Sequence, residues 1–282
     1  MPPLYSERLS ELAAQAYQLS DQLCGSCRDL HALWPYIRLS RSSTGVEVEE
    51  SKLTQGLQNL IVEGRRDVLI AGAADTGLLA LVARAGIDCG LNIVVLDICE
   101  TPLELCRQFA KQWSLPIQTI RQDLRDLNAR RQFDLVLVHG TLHFIDRSGR
   151  SRAVTRIRDS TRPGGRLVLL FNTSKAPALK ADDNVHAQYA TAVLSELKRQ
   201  RVSLPDSEAV LCDRLAAHSR RRQLREGAFV QPSDATLLLE DAGFNVMSCE
   251  QVDFKLSGET SDLVSRISKR RFVAIGEPNR HC

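Results

Sequence analysis

Five short strand-like runs, Val68–Ala71, Ile93–Leu96, Ile117–Ile120, Leu135–Val138 and Leu167–Phe171, punctuate the middle of the chain. Most are apolar without polar alternation, as parallel strands buried on both faces are. Helical stretches separate them, at Leu78–Ile87, Pro102–Trp113 and about Arg150–Thr161. Strand–helix repetition at this spacing predicts a doubly wound α/β sheet.

The flanks read differently. Leu9, Leu12, Ala13, Ala16 and Leu19 follow a helical period, as do Leu53, Leu57, Leu60 and Ile61, with Gly64 as a C-cap. Residues 175–230 break the α/β rhythm with two polar helices, roughly Asn184–Arg201 and Ser207–Glu226. A helix at Pro232–Ala242 then leads into Phe244–Val246 and a last apolar run, Phe272–Ile275. We therefore divide the chain into a helical N-terminal cap (1–65), an α/β core (66–174), a helical lid insertion (175–230) and a completion of the core (231–282).

Charge excludes some functions. Lys and Arg number 37 against 34 Asp and Glu, a net +3, too balanced for a dedicated nucleic-acid binder. No apolar run approaches a membrane span. The N-terminus lacks a basic segment followed by an apolar one, so no secretory signal is expected. Eight cysteines in a chain of 282 residues are not a disulfide framework, and a reducing cytoplasm fits them best.

The chemistry lies in the loops that follow the strands. After the first run comes Gly72-Ala73-Ala74-Asp75-Thr76-Gly77, whose small residues let backbone approach a ligand where open α/β sheets bind one. The dinucleotide fingerprint is absent, since Ala74 occupies the place of its second glycine. Asp97 ends the second run, where a carboxylate can accept from both ribose hydroxyls of an adenosine cofactor or simply serve as a helix N-terminal acid. Asp123 follows the third run, placed either to accept from an adenine amine or to cap the next helix.

In order, these features resemble class I S-adenosylmethionine-dependent methyltransferases, over about 67–173 and more weakly over 232–276. Phe133-Asp134-Leu135-Val136-Leu137-Val138-His139 as the fourth strand and Arg162-Pro163-Gly164-Gly165-Arg166-Leu167 before the fifth complete the pattern. The resemblance implies a Rossmann-like, seven-stranded sheet with a reversed final hairpin and S-adenosyl-L-methionine across the strand tips. It places Gly72, Ala73, Ala74, Asp75, Gly77, Asp97, Ile98, Asp123, Leu124 and His139 around that cofactor. Two positions depart from the family. Ile70 stands where an acid is usual, with Asp75 as its candidate replacement, and the loop lacks its middle glycine. A cofactor-binding but non-catalytic interaction protein is thus a further alternative.

The nucleophile must be aligned with the methyl–sulfur bond and, where needed, relieved of a proton. His139 at the tip of strand four is the candidate base, or else shapes the pocket. His143 also matches a family position, with a pocket-wall role favoured over catalysis. The tetrapeptide that holds an amino group in nucleic-acid amine methyltransferases is absent. A small-molecule acceptor methylated at oxygen or nitrogen is expected, an RNA or protein acceptor is the alternative, and a homodimer is allowed.

Three further features invite readings. In Leu33-Trp34-Pro35-Tyr36-Ile37-Arg38, Tyr36 or Arg38 could contact the methionine carboxylate, or the run could be packing. Cys24 and Cys27 with His31 invite a metal, but zinc sites use four ligands, or three plus water. With no second cysteine pair at ordinary spacing, no metal is expected and a packed helical face is the reading. Arg220-Arg221-Arg222 with Arg225 reads as a solvated face, the alternatives being contact with an anionic substrate or RNA.

Overall fold

The computed structural model describes residues 9–40, 46, 50–86, 89–174, 183–224, 229–252 and 269–279. Seven strands form one sheet: β1 (Asp67–Ala71), β2 (Asn92–Asp97), β3 (Ile117–Arg121), β4 (Phe133–His139), β5 (Thr161–Ser174), β6 (Phe244–Val252) and β7 (Lys269–Pro278). Their order is β3-β2-β1-β4-β5-β7-β6. β1 to β5 are parallel, and β7 runs antiparallel to both β5 and β6. The predicted reversed hairpin is therefore present.

Burial explains the apolar runs. Leu69, Val136, Val138, Leu167 and Leu169 point to one face, covered by α6 (Arg147–Ser160) through Ala153, Val154 and Ile157 and by α9 (Pro232–Asp241) through Ala235 and Leu239. The alternate residues, Val68, Ile70, Ile93, Val95, Leu135 and Leu137, face the other way. Three helices cover that side: α3 (Glu50–Val62), α4 (Gly77–Ala85) and α5 (Glu100–Gln112). With both faces buried, no position in these strands calls for polar alternation.

The N-terminal region divides differently from expectation. α3 belongs to the core, with Leu53, Leu57 and Ile61 in the same apolar cluster as β1 and α4. α1 (Leu9–Leu23) and α2 (Arg28–Leu39) instead join α7 (Asp183–Arg199) and α8 (Glu208–Leu224). Tyr17, Leu33, Tyr36 and Ile37 share one cluster with Val193, Leu197, Leu211 and Leu215. Cap and insertion are thus one helical body, which sequence separates because its halves lie far apart in the chain. α1 also reaches the core, where Leu9, Leu12 and Ala16 meet Leu105 of α5. Among the described residues no helix is long and apolar enough to cross a membrane.

Charge ties this helical body together and to the sheet. Asp29 on α2 pairs with Arg214 at 2.9 Å and with Arg221, both on α8. Arg38 near the end of α2 pairs with Asp75 in the loop after β1 at 2.5 Å, with side chains only 2% and 6% exposed. Removing one partner of so dry a pair strands a charge, at a cost of about 3–5 kcal/mol.

Two outcomes follow for denaturant unfolding. Leu197→Ala should cost about 2–5 kcal/mol and lower the stability of cap and insertion together, a result contradicted by two separate transitions of which only one shifts. Asp75→Ala should cost about 3–5 kcal/mol, most of it regained in Asp75→Ala/Arg38→Met; equal losses in single and double variants would mean the pair is not the cause.

Candidate functional site

The carboxyl ends of β1 and β4 lie side by side where the strand order reverses, the place at which open α/β sheets bind ligands. Gly72 leaves β1 with φ of 88°, and a Cβ there would lie 2.1 Å from Oγ1 of Thr141. Only glycine fits. Thr141 in turn donates to the Ala71 carbonyl at 2.9 Å, fixing the β4 loop against the end of β1.

Asp97 closes β2 and organises the neighbouring loops. Its Oδ2 accepts the Ala73 N–H at 2.9 Å and its Oδ1 the Cys99 N–H at 2.7 Å. A carboxylate offers about four acceptor positions, so each oxygen keeps one beyond these bonds. Burial raises its pKa while the two backbone donors oppose the rise. Ile98, next in the chain, leaves an apolar side chain 62% exposed at the same edge. This donor and acceptor set fits an adenosine: a diol on the carboxylate, an apolar surface beside it.

The other predicted cofactor residues divide. Asp123 caps the short helical turn Leu124–Asp126 by accepting the Arg125 N–H at 2.8 Å. The Arg125 guanidinium, bonded to both Asp123 oxygens, holds that carboxyl below the usual carboxylate range. The capping role is therefore present, and Leu124 beside it is buried in the core, leaving only backbone to face a ligand. Asp75 does not stand in for the acid missing at Ile70. Its Oδ2 is taken by Arg38 and its Oδ1 accepts the Gly77 N–H at 2.8 Å.

Arg38 and Tyr36 are likewise corrected as carboxylate contacts. The Arg38 guanidinium serves Asp75. Tyr36 is 3% exposed and meets Tyr17 edge to face, with ring centres 6.3 Å apart. Burial pushes its hydroxyl up to about 12. Packing wins at this position because the insertion helices cover it.

His139 ends β4, half-buried and in register with Leu170 of β5. His143 is corrected as a catalytic residue. Its Nε2 accepts the Asn172 N–H at 3.0 Å, which commits the lone pair a base would need. It also stands edge-on to Phe229. The basic run differs from a freely solvated face, since Arg221 docks on Asp29; Arg225 lies outside the described residues.

Sequence reasoning missed Cys99, the N-cap of α5. It lies against the turn between α1 and α2, so that ligating atoms of Cys24, Cys27, His31 and Cys99 all fall within 4.8 Å of one another. The expectation of no metal rested on a missing fourth group, and that premise is corrected: the turn after β2 supplies it. Its signal was its place two residues beyond Asp97, at a strand tip facing the cap. Burial opposes charge on His31, but the neighbouring Cys27 and Cys99 outweigh it and push the imidazole up to about 10. Cys99 is pulled down, first by its hydrogen bond with Cys24 and then by His31.

Comparison with known proteins finds similarity in domain and fold. Residues 68–165 match the family model of a methyltransferase domain. The carboxy-S-adenosyl-L-methionine synthase of Yersinia enterocolitica is 26% identical over 137 residues, covering 47% of this chain and 51% of that protein. The chain thus spans about half the length of the curated relatives it matches. In fold, it is similar to a possible exported protein from Bordetella parapertussis, with TM-score 0.53 and 17% identity over 97% of this chain and 95% of that one. The 1,6-didemethyltoxoflavin-N1-methyltransferase of Burkholderia thailandensis gives TM-score 0.51 at 17% identity, covering 80% of this chain and 78% of that one. Residues 68–165 are thus similar to a methyltransferase domain, set in a sheet of order β3-β2-β1-β4-β5-β7-β6.

Proposed function

We propose that the chain transfers a methyl group from S-adenosyl-L-methionine to an oxygen or nitrogen of a small molecule. The observation that carries this reading is Asp97, bonded through each oxygen to one loop amide, at 2.9 and 2.7 Å, with acceptor capacity left over. Gly72 and Ala73 bring backbone to the strand tips, Asp97 takes the ribose diol, and Ile98 lies against the adenine. Asp123 and the Leu124 backbone lie farther along the same edge.

The cofactor supplies an activated sulfonium methyl, so the protein has little bond chemistry of its own to perform. The chain's task is to align the acceptor and exclude water. His139 at the β4 tip takes the acceptor's proton where one must leave. His143 holds the wall through Asn172 and Phe229. The helical body formed by α1, α2, α7 and α8 stands over this edge through Arg38 and His31, and gives specificity. A small acceptor is favoured over RNA because Arg214 and Arg221 are already paired with Asp29. Free thiols such as Cys89 and Cys212 suit a reducing cytoplasm.

Calorimetry with S-adenosylhomocysteine checks the diol assignment. Asp97→Asn should weaken binding by about 1.5–3 kcal/mol, and equal affinity in the folded variant would refute it. His139→Ala should leave that affinity intact while lowering, about 10²-fold, the rate at which a metabolite gains one CH₂ by mass spectrometry. An unchanged rate would reduce His139 to pocket wall.

A further inference from the structure

Four groups that no cofactor contact uses converge beneath the loop after β1. Cys24 and Cys27 come from the turn joining α1 to α2, His31 from the first turn of α2, and Cys99 from the N-cap of α5. The Cys99 Sγ lies 3.4 Å from the Sγ of both Cys24 and Cys27. His31 and Cys99 are 4% and 5% exposed.

We propose that Cys24, Cys27, His31 and Cys99 form a closed, tetrahedral zinc site that fixes the helical cap to the cofactor-binding loop. The donor set is Cys₃His, a usual composition for structural zinc, and its first two members, Cys24 and Cys27, have the Cys-x-x-Cys spacing of such sites. Zinc–sulfur bonds of about 2.3 Å set thiolates roughly 3.8 Å apart in a tetrahedron, close to the separations here. Small inward or outward shifts of the sulfurs would complete the coordination. Thiolates are the ligating form, so binding releases thiol protons to solvent and changes no oxidation state.

The surroundings are those of a metal ligand shell. His31 Nδ1 lies 3.3 Å from the Ala74 carbonyl oxygen, so Nδ1 carries the proton and Nε2 is the ligand. A carbonyl in that role fixes the tautomer and orientation of a zinc-bound imidazole. Thr101, fully buried, places its hydroxyl 3.0 Å from the Cys24 sulfur, where it donates to a thiolate. The N-terminal end of α5 also favours negative charge on Cys99.

The position gives the site a consequence. Ala74 belongs to the loop that approaches the cofactor, and the Cys99 N–H is one of the two donors that orient Asp97. The metal therefore positions both walls of the adenosine pocket without touching a ligand. Cys24, Cys27, His31 and Cys99 are positioning residues in this scheme.

The test is the metal content of full-length protein without a histidine tag, purified from zinc-supplemented medium. About one equivalent of zinc is expected, lost in Cys99→Ser and in Cys27→Ser. Should those variants fail to fold, cobalt substitution of the wild type decides. Intense visible bands and a thiolate charge-transfer band mark a tetrahedral sulfur-rich site, and weak octahedral bands contradict it. Chelation of folded wild type should lower S-adenosylhomocysteine affinity about 10-fold or more. Absence of zinc, iron in its place, zinc retained in Cys99→Ser, or a mass two hydrogens lighter that marks a disulfide through Cys99 would each overturn the proposal. Metal content is read without cofactor or turnover, so it stands apart from the methyl-transfer reading.

Discussion

Everything at the ligand-facing edge of this sheet depends on α2 being held against the loop after β1. The holding interaction is the Arg38–Asp75 pair, 2.5 Å long and almost wholly withdrawn from water. In so dry a place neither charge can be left alone, so the two elements stay together. α2 then carries α7 and α8 with it through the apolar cluster around Leu33, Tyr36 and Ile37. This buried ion pair, with the packing of α1 on Leu105, holds a body of four helices against the α/β core.

That constraint also decides which residues remain for chemistry. Asp75 and Arg38, at attractive positions for an amino-acid moiety, are consumed by each other. Among the described residues, Asp97 accepts one backbone N–H on each oxygen, which orients it and leaves acceptor capacity. His143 accepts from the Asn172 amide, and His139 ends its strand in register with Leu170. The division between Asp75 and Asp97 follows hydrogen-bond arithmetic rather than residue type, since both are acids at strand tips.

The sheet was legible in the sequence because burial on both faces removes polar alternation from its central parallel strands β1 and β4, whereas the edge strand β3 keeps polar residues. β4 runs over Phe133–His139, containing the apolar run Leu135–Val138 and matching the span the family resemblance implies. Asp123 was legible as a cap because its bond to Arg125 is local. What sequence did not carry were pairings between distant segments. Cys99 meets Cys24 and Cys27 only once β2 and the α1–α2 turn are brought together, and local spacing around the first pair holds no trace of it. Tyr36 looked like a ligand contact until α7 and α8 covered it, and α3 looked like cap until its apolar stripe found α4.

If α2 and the loop are one mechanical unit, a ligand that orders the loop must also steady the helix. Amide hydrogen exchange with and without S-adenosylhomocysteine reads this residue by residue. Slower exchange in Gly72–Gly77 and Asp97–Cys99, accompanied by slower exchange along Arg28–Leu39, is the expected result. Protection confined to the strand tips, with α2 unchanged, would contradict the coupling of cap to cofactor pocket.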